Sequence, residues 1–464
     1  MNISSSKNTF FSHPWVLRVT LGLLFTLGLG IRLYDLTDLP LDFHPTRQLG
    51  SAVIARGMYY QDLDTVSDEM RNIAVNLWKA REVYEPRILE RIVATTYHIL
   101  GGEYLWVARI YTSLFWLIGG VVLFFLARDM STTDGAIIAV AYYMFIPFGV
   151  FASRSFQPDP IMVSLIVLSF LALHYWCKQP TWRRTLIAGV ICGVAILVKA
   201  VAVFPICGAL LGLVLGKRGL RGAISDRKIW IIAGLTLLPA IIYNLFLIPE
   251  RSVGLFRFFV LSFSELLLDP AFYVRWANLL SIHFGFHVII LSLWGVLMFR
   301  ADSERGMMVG SWVGYVLYGL SLPYQIMTHD YYHLMLIPIL GLCLAPTLAA
   351  VFHQLSSRRV VWRAAAVGVL LIAVVYQLWT VRVGLARRSF RNKAREWEII
   401  SEAIPRDGEV IALTEAYGYQ LEYFAMIKIP LWPRQGDIDA IGMRGNEFDY
   451  EQVQTPSICN WLWC

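Results

Sequence analysis

Long apolar runs joined by short polar stretches make up most of the chain. The first run, in PWVLRVTLGLLFTLGLGIRL, exceeds a signal-peptide core and has no small-residue cleavage site after it, which predicts a retained span. Further runs of spanning length lie at roughly 106–127, 134–152, 160–177, 185–198, 200–216, 229–248, 281–299, 307–323, 334–352 and 362–381, so about eleven transmembrane helices are expected. One apolar stretch behaves differently. In ILERIVATTYHILGG the positions Ile88, Leu89, Ile92, Val93, Ile99 and Leu100 share one helical face, and Glu90, Arg91 and His98 lie on another. It is too short and too charged to cross, and predicts a helix lying in the interface. Beyond Arg387 the pattern becomes that of a soluble protein. AREWEIISEAIPRDGEVIALTEAYGYQLEYFAMIKIPLWP alternates as helix, turn, strand, helix and strand. The expected fold is therefore an all-α polytopic membrane domain, residues 1–386, followed by a small α/β domain, residues 387–464. The ending TPSICNWLWC lacks the further strand and helix pairs of such a domain and reads as a truncation.

Composition agrees with the pattern. The chain is 57% hydrophobic and 16% charged, with a mean hydropathy of +0.56, far outside the range of soluble domains. Its net charge of +7 distributes by membrane side and is no nucleic-acid signal. With the N-terminus in the cytoplasm and residues 88–100 not crossing, KQPTWRR, GKRGLRGAISDRK, FRADSERG and HQLSSRRVVWR all fall on the cytoplasmic side, as basic loops should. LDFHPTRQ, SRSFQPDP, Lys199, THDYYH and the C-terminal segment then fall outside. Of the six cysteines, Cys177, Cys192, Cys207 and Cys343 sit in or beside apolar runs as small hydrophobes, leaving Cys459 and Cys464 as the pair able to bridge; no metal-ligand spacing occurs.

The outer face thus collects ionisable groups from distant segments, while the middles of the spans carry almost none. That layout describes a shallow interfacial site, not the midplane site of a transporter. Moving a group from a lipid phosphate to a hydroxyl there needs a base for the acceptor proton and cations for the departing phosphate. Asp42 is the candidate base: His44, Pro45 and Thr46 predict a helix start with Pro at its first position, and a carboxylate is favoured near that positive end. Asp35 and Asp38 flank it. Arg47, Arg87, Arg154 and Lys199 are the candidate phosphate ligands, with snorkelling to head groups as the plain alternative. Glu85 is the candidate for a divalent cation or for orienting Arg87, and Asp159 for capping the span it precedes. His329, Asp330, Tyr331, Tyr332 and His333 form the densest remaining polar and aromatic cluster; tyrosines at a span end also fit an interfacial belt. A metal on His44, His329 and His333 lacks any fixed spacing. Residues 250–280 read as a long amphipathic outer loop suited to covering a groove.

These motifs, in this order and on this side, resemble the GT-C superfamily of glycosyltransferases. The matching features are the Asp after span one, the Arg-bearing HPTRQLGSAVIARGMYY, the Pro-containing EPRILERIVATTYHILGG, ARI entering the next span, RSFQPDP, ILVKAVAVFP and HDYYHLMLIP. Within it the chain is similar to the bacterial branch of protein O-mannosyltransferases and lipid A aminoarabinose transferases. It differs where Phe43 and His44 follow the acid in place of Glu, and where Glu85-Pro86-Arg87 stands for the usual Lys-Pro-Pro. The resemblance implies a first outer loop, 34–105, with interfacial helices, in a multi-pass protein of the bacterial inner membrane. It implies a polyprenyl-phosphate sugar donor and a lipid, glycan or protein acceptor at the outer face. His44, Gln48, His329, Asp330, Tyr331 and Tyr332 would bind substrate, and no cofactor is implied beyond an optional divalent cation at Glu85. A hexosyl- or pentosyltransferase inverting at the anomeric carbon fits this layout. The alternatives are a flippase for lipid-linked saccharides, which would need a polar path through the midplane, and a non-catalytic envelope protein, which would not need the Asp42 base.

Overall fold

The computed structural model describes residue 11 and residues 13–81, 83, 85–248, 254, 260–356, 359–404 and 411–443. Helices occupy all eleven predicted stretches. By length and apolarity, seven of those described qualify as membrane spans, or up to nine when two bent pairs each count as one.

Helix α1 (Pro14–Leu33) leads through a tight loop into α2 (Pro45–Gln61) and α3 (Asp68–Lys79). α4 (Ile88–Leu100) is the short amphipathic helix expected not to cross; Leu89, Val93, Ala94 and Tyr97 are buried and Ile99 is exposed. α2 packs on both α3 and α4, so the first outer loop is itself a small helical layer. α5 (Trp106–Met130), α6 (Thr133–Phe145), α7 (Pro147–Ser153), α8 (Asp159–Lys178), α9 (Trp182–Val198), α10 (Val203–Ser225) and α11 (Arg227–Ile242) follow. α6 and α7 meet at an angle of 61° at Ile146-Pro147, where Pro cannot supply the N–H that would continue the helix.

After the second long outer segment come α12 (Pro270–Phe284), α13 (Phe286–Leu297), α14 (Asp302–Ser321), α15 (Pro323–Thr328), α16 (Leu336–Ser356) and α17 (Val360–Arg387). The apolar run 281–299 is not one straight span: α12 and α13 meet at 90° across Gly285, whose φ of +78° is a conformation other residues avoid. α8 and α16 form the centre, with α5, α6 and α13 around them, whereas α17 is almost wholly exposed to the surroundings of the bundle. Cys177, Cys192, Cys207 and Cys343 are free thiols in this packing, three of them buried.

The closest helix contact is between α10 and α14. Gly208, Gly212 and Gly216 recur every four residues on one helix and meet Gly306, Gly310 and Gly314 on the other. A Cβ at any of the six would run into a backbone carbonyl oxygen of the facing helix. Only glycine lets the two backbones touch in this way.

Past α17 lie α18 (Lys393–Ala403) and α19 (Gln435–Gly442). Among the described residues the β component expected here is a single parallel bridge between Ala412 and Leu431. The stretch 421–425, which falls in the second helix expected here, is a helical turn, with Leu421, Glu422 and Tyr423 buried. Arg56 of α2 holds this turn: it donates to the Tyr423 carbonyl, pairs with Glu103 at 2.9 Å and lies 3.8 Å from the Tyr423 ring centroid. Arg81 adds an ion pair to Glu422. Cys459 and Cys464, most of 249–259 and the terminus after 443 lie outside the described residues.

Candidate active site

The loop 34–44 is organised around one side chain. Arg109, in the first turn of α5 and nearly fully buried, donates to the carbonyl oxygens of Asp35 (3.3 Å), Leu36 (3.0 Å), Asp38 (2.8 Å) and Leu39 (3.1 Å). The same guanidinium reaches Asp42 Oδ1 at 3.2 Å. A fork of five N–H donors suits this task, which a lysine could not perform. Gln48, on the first turn of α2, completes the cradle. Its Nε2 donates to the Phe43 carbonyl at 2.6 Å and approaches Asp42 Oδ1 at 3.4 Å, and its Oε1 accepts from the Phe156 amide at 2.9 Å. Arg154 stands 4.0 Å from the other Asp42 oxygen and donates to the Asp35 carbonyl at 3.0 Å. Burial, and then the neighbouring Arg109 charge, push the Arg154 guanidinium down to about 10. Its Nε and Nη1 are buried without a hydrogen-bond partner.

Asp35 and Asp38 are engaged elsewhere. Asp38 accepts the Phe390 amide at 2.9 and 3.1 Å, and Asp35 pairs with Arg391 at 2.5 Å. Both tether the chain leaving α17 to the first outer loop, which leaves Asp42 as the loop carboxylate facing buried cations.

A second cluster lies one helical turn along α2. Arg47 pairs with Glu85 at 3.2 Å, and Lys199, at the end of α9, holds Asp159 at 2.7 and 2.9 Å with Glu85 at 3.9 Å. The faces of Tyr331 and Tyr332 lie 5.1 and 5.4 Å from Lys199 Nζ, and Tyr331 lies 5.9 Å from Arg47. These rings are site components by position. Asp159 opens α8 and does more than cap it, because its carboxylate is the buried partner of Lys199.

His44 sits ahead of α2 with φ +47°, a left-handed conformation unusual for a histidine, and its Nε2 meets the Asp330 carboxylate. His283 approaches the other Asp330 oxygen at 3.7 Å. His329 accepts or donates at the Thr328 hydroxyl at 2.7 Å, and burial pushes its imidazole down to about 4. His333 turns away to the Tyr315 hydroxyl at 2.6 Å. Arg87 stays apart, donating to the Arg81 carbonyl at 2.8 Å. Among the described residues no group of three His, Cys, Asp or Glu side chains could hold a metal ion, so Glu85 stands as half of an ion pair.

Two participants were absent from the expectation. Arg109 was visible as a lone charge entering an apolar run; the four carbonyls it gathers are not visible until the loop is folded. His283 lies in a run read as one straight span, and the break at Gly285 brings it to Asp330.

Beside the second cluster a small, partly open pocket lies between α9 and α11, lined by Ile196, Leu197, Ala200, Ala240, Tyr243 and Asn244 and ending at Glu85 and Pro86. The arrangement supplies a small apolar pocket, a cationic pair beside it, and a separate cradled carboxylate.

A family model of dolichyl-phosphate-mannose-protein mannosyltransferases matches residues 88–246. No curated protein sequence matches the chain. The fold is similar to that of ArnT from Cupriavidus metallidurans bound to undecaprenyl phosphate: 14% identity, a TM-score of 0.55, with 92% of this chain and 87% of that one covered. It is also similar to the oligosaccharyltransferase AglB from Archaeoglobus fulgidus, in complex with an inhibitory peptide and a dolichol-phosphate. There the identity is 11% and the TM-score 0.54, over 90% of this chain and 64% of that one.

Proposed function

We propose that the chain is a GT-C glycosyltransferase that moves a sugar from a polyprenyl-phosphate donor to an acceptor hydroxyl at the outer face of a bacterial inner membrane, a reading supported by the similar folds and by the family model matched over residues 88–246. The observation that carries this reading is the spacing of two unlike sites along the start of α2. Gln48 touches Asp42, and the adjacent Arg47 belongs to the cation pair with Lys199. The first turn of α2 therefore borders a carboxylate through Gln48 and a cation pair through Arg47. A lipid chain at the pocket between α9 and α11 would bring its phosphate to Arg47 and Lys199, and its sugar toward Asp42. The undecaprenyl phosphate of the ArnT structure and the dolichol-phosphate of the AglB structure support a lipid phosphate as the ligand class. Basic loops on the opposite face support the N-in, C-out orientation.

In this mechanism Arg47 and Lys199 stabilise the charge that grows on the leaving phosphate, and Asp42 accepts the proton as the acceptor oxygen attacks. Arg109 and Gln48 fix the carboxylate in one rotamer, which favours a single displacement with inversion. The described residues after α17 are tied to the first loop through Asp35, Asp38 and α2, which supports an outer position for them. Turnover of Asp42→Asn, assayed with a panel of polyprenyl-phosphate sugars supplied only to the outside of spheroplasts, is the test. The expected outcome is a loss of roughly 100-fold or more with donor binding kept and an inverted product from the wild type. Near-normal turnover of Asp42→Asn, or transfer only when donor is supplied from the cytoplasmic side, refutes it.

A further inference from the structure

The cations assigned to the donor phosphate are already neutralised. Arg47 and Lys199 face Glu85 and Asp159, two charges of each sign in one partly dry cluster. The two acids are held very differently. Asp159 is almost fully buried at the start of α8 and binds Lys199 through both oxygens at 2.7 and 2.9 Å. Glu85 sits on the non-helical stretch between α3 and α4, about a fifth exposed, with contacts of 3.2 and 3.4 Å to Arg47 and 3.9 Å to Lys199. It also lines the polar end of the small apolar pocket between α9 and α11, beside the cations it pairs with. Tyr331 and Tyr332 flank Lys199, and Tyr331 flanks Arg47, holding both heads in place whatever Glu85 does.

We infer that Glu85 is a displaceable counter-ion that occupies the donor-phosphate position between turnovers and returns to expel the spent lipid phosphate; this rests on the lipid-phosphate reading of Arg47 and Lys199. Charge balance gives the idea its direction. A sugar-carrying lipid phosphate is a diester with one negative charge, and it replaces the single charge of Glu85 without changing the cluster's sum. Transfer breaks the bond from the anomeric carbon to the phosphate oxygen, leaves that electron pair on the phosphate, and passes the acceptor proton to Asp42. The product is a monoester whose second charge approaches completion near neutral pH. Two cations and Asp159 cannot balance it as well as they balance the donor, and the returning Glu85 repels it further. Glu85 thus sets product release and excludes lipids with larger anionic heads.

The test measures binding of undecaprenyl phosphate, with undecaprenol as the phosphate-free control, to the full-length protein in lipid nanodiscs. Glu85→Gln should bind undecaprenyl phosphate about tenfold more tightly, bind undecaprenol as the wild type does, and show stronger product inhibition. Glu85→Ala should move the same way. Arg47→Ala and Lys199→Ala should each weaken undecaprenyl phosphate binding. If those two weaken it while neither Glu85 variant tightens it, the counter-ion role is overturned and the phosphate site stands. If Glu85→Gln weakens binding and wild-type binding requires added Mg²⁺ or Mn²⁺, the role is again overturned, in favour of a metal ligand. If Arg47→Ala and Lys199→Ala leave binding unchanged, the phosphate site falls and the counter-ion with it.

Discussion

Replacing Arg109 by Ala should cost more than replacing the Asp42 carboxylate it touches. The side chain satisfies four buried carbonyl oxygens of residues 35–39 and the Asp42 carboxylate, and it is itself almost inaccessible. A hydrogen bond to a charged group contributes about 1.5–3 kcal/mol, and removing one partner of a buried ion pair costs about 3–5 kcal/mol. Because the five bonds share one guanidinium they do not add, and the ion-pair figure of about 3–5 kcal/mol bounds the expected loss. Arg109→Lys keeps the charge but cannot span carbonyls on both edges of the fork, so roughly half that loss is expected. The assay is the thermal midpoint of monodisperse protein in detergent, followed by size-exclusion chromatography of heated samples. Arg109→Ala should lower it by roughly 5 °C or more, with Arg109→Lys between it and wild type, and Asp42→Asn, which loses the ion pair but keeps the four carbonyl bonds, should lower it by less than Arg109→Ala. Equal midpoints for Arg109→Ala and Asp42→Asn would refute the view that Arg109 builds the loop and Asp42 merely uses it.

Two further outcomes follow from the packing. Burial raises the Glu90 carboxyl above its ordinary value, against a 2.7 Å hydrogen bond from Ser51. The folded protein therefore holds that proton more tightly than the unfolded chain, and stability falls as pH rises from the unfolded value through the raised one. Glu90→Gln should be neutral or stabilising at pH 8 and should flatten the decline in midpoint between pH 5 and 8; a variant less stable at pH 8 than wild type would contradict this. Gly310→Leu should lower the midpoint by an amount typical of overpacking, about 1–3 kcal/mol, whereas Gly234→Ala, with open space around its Cβ position, should not; equal effects would mean the α10–α14 contact is not tight in the membrane.

Much of the site was legible because it is local. Asp42, His44, Arg47 and Gln48 lie within seven residues, and Pro45 announces the helix that orders them. Short-range chemistry of this kind survives into the fold. Lys199, Asp159 and the Tyr331-Tyr332 pair were legible as outer-face residues, since charge bias assigns sides even when it cannot assign neighbours. What could not be read was pairing. Nothing in ARI says that its arginine will bind backbone carbonyls some seventy positions earlier, and nothing in SIHFGFHVII distinguishes a straight span from one that breaks at Gly285 to deliver His283. Pairing was equally hidden after α17, where Tyr419, Glu422 and Tyr423 are held by Arg56 and Arg81 from the segment between α1 and α5.

The six glycines between α10 and α14 also act as a ruler. Lys199 stands just before α10, and Tyr331 and Tyr332 follow α14 by one short helix, so the two helices carry opposite jaws of the phosphate cluster. Glycines repeating every fourth residue on both sides permit backbone contact only in matched registers. A slip to the next one would slide the jaws by about 6 Å, further than any cation–aromatic contact can follow. The spacing between Lys199 and the tyrosine pair is therefore set in whole steps, whatever the segment between α1 and α5 does.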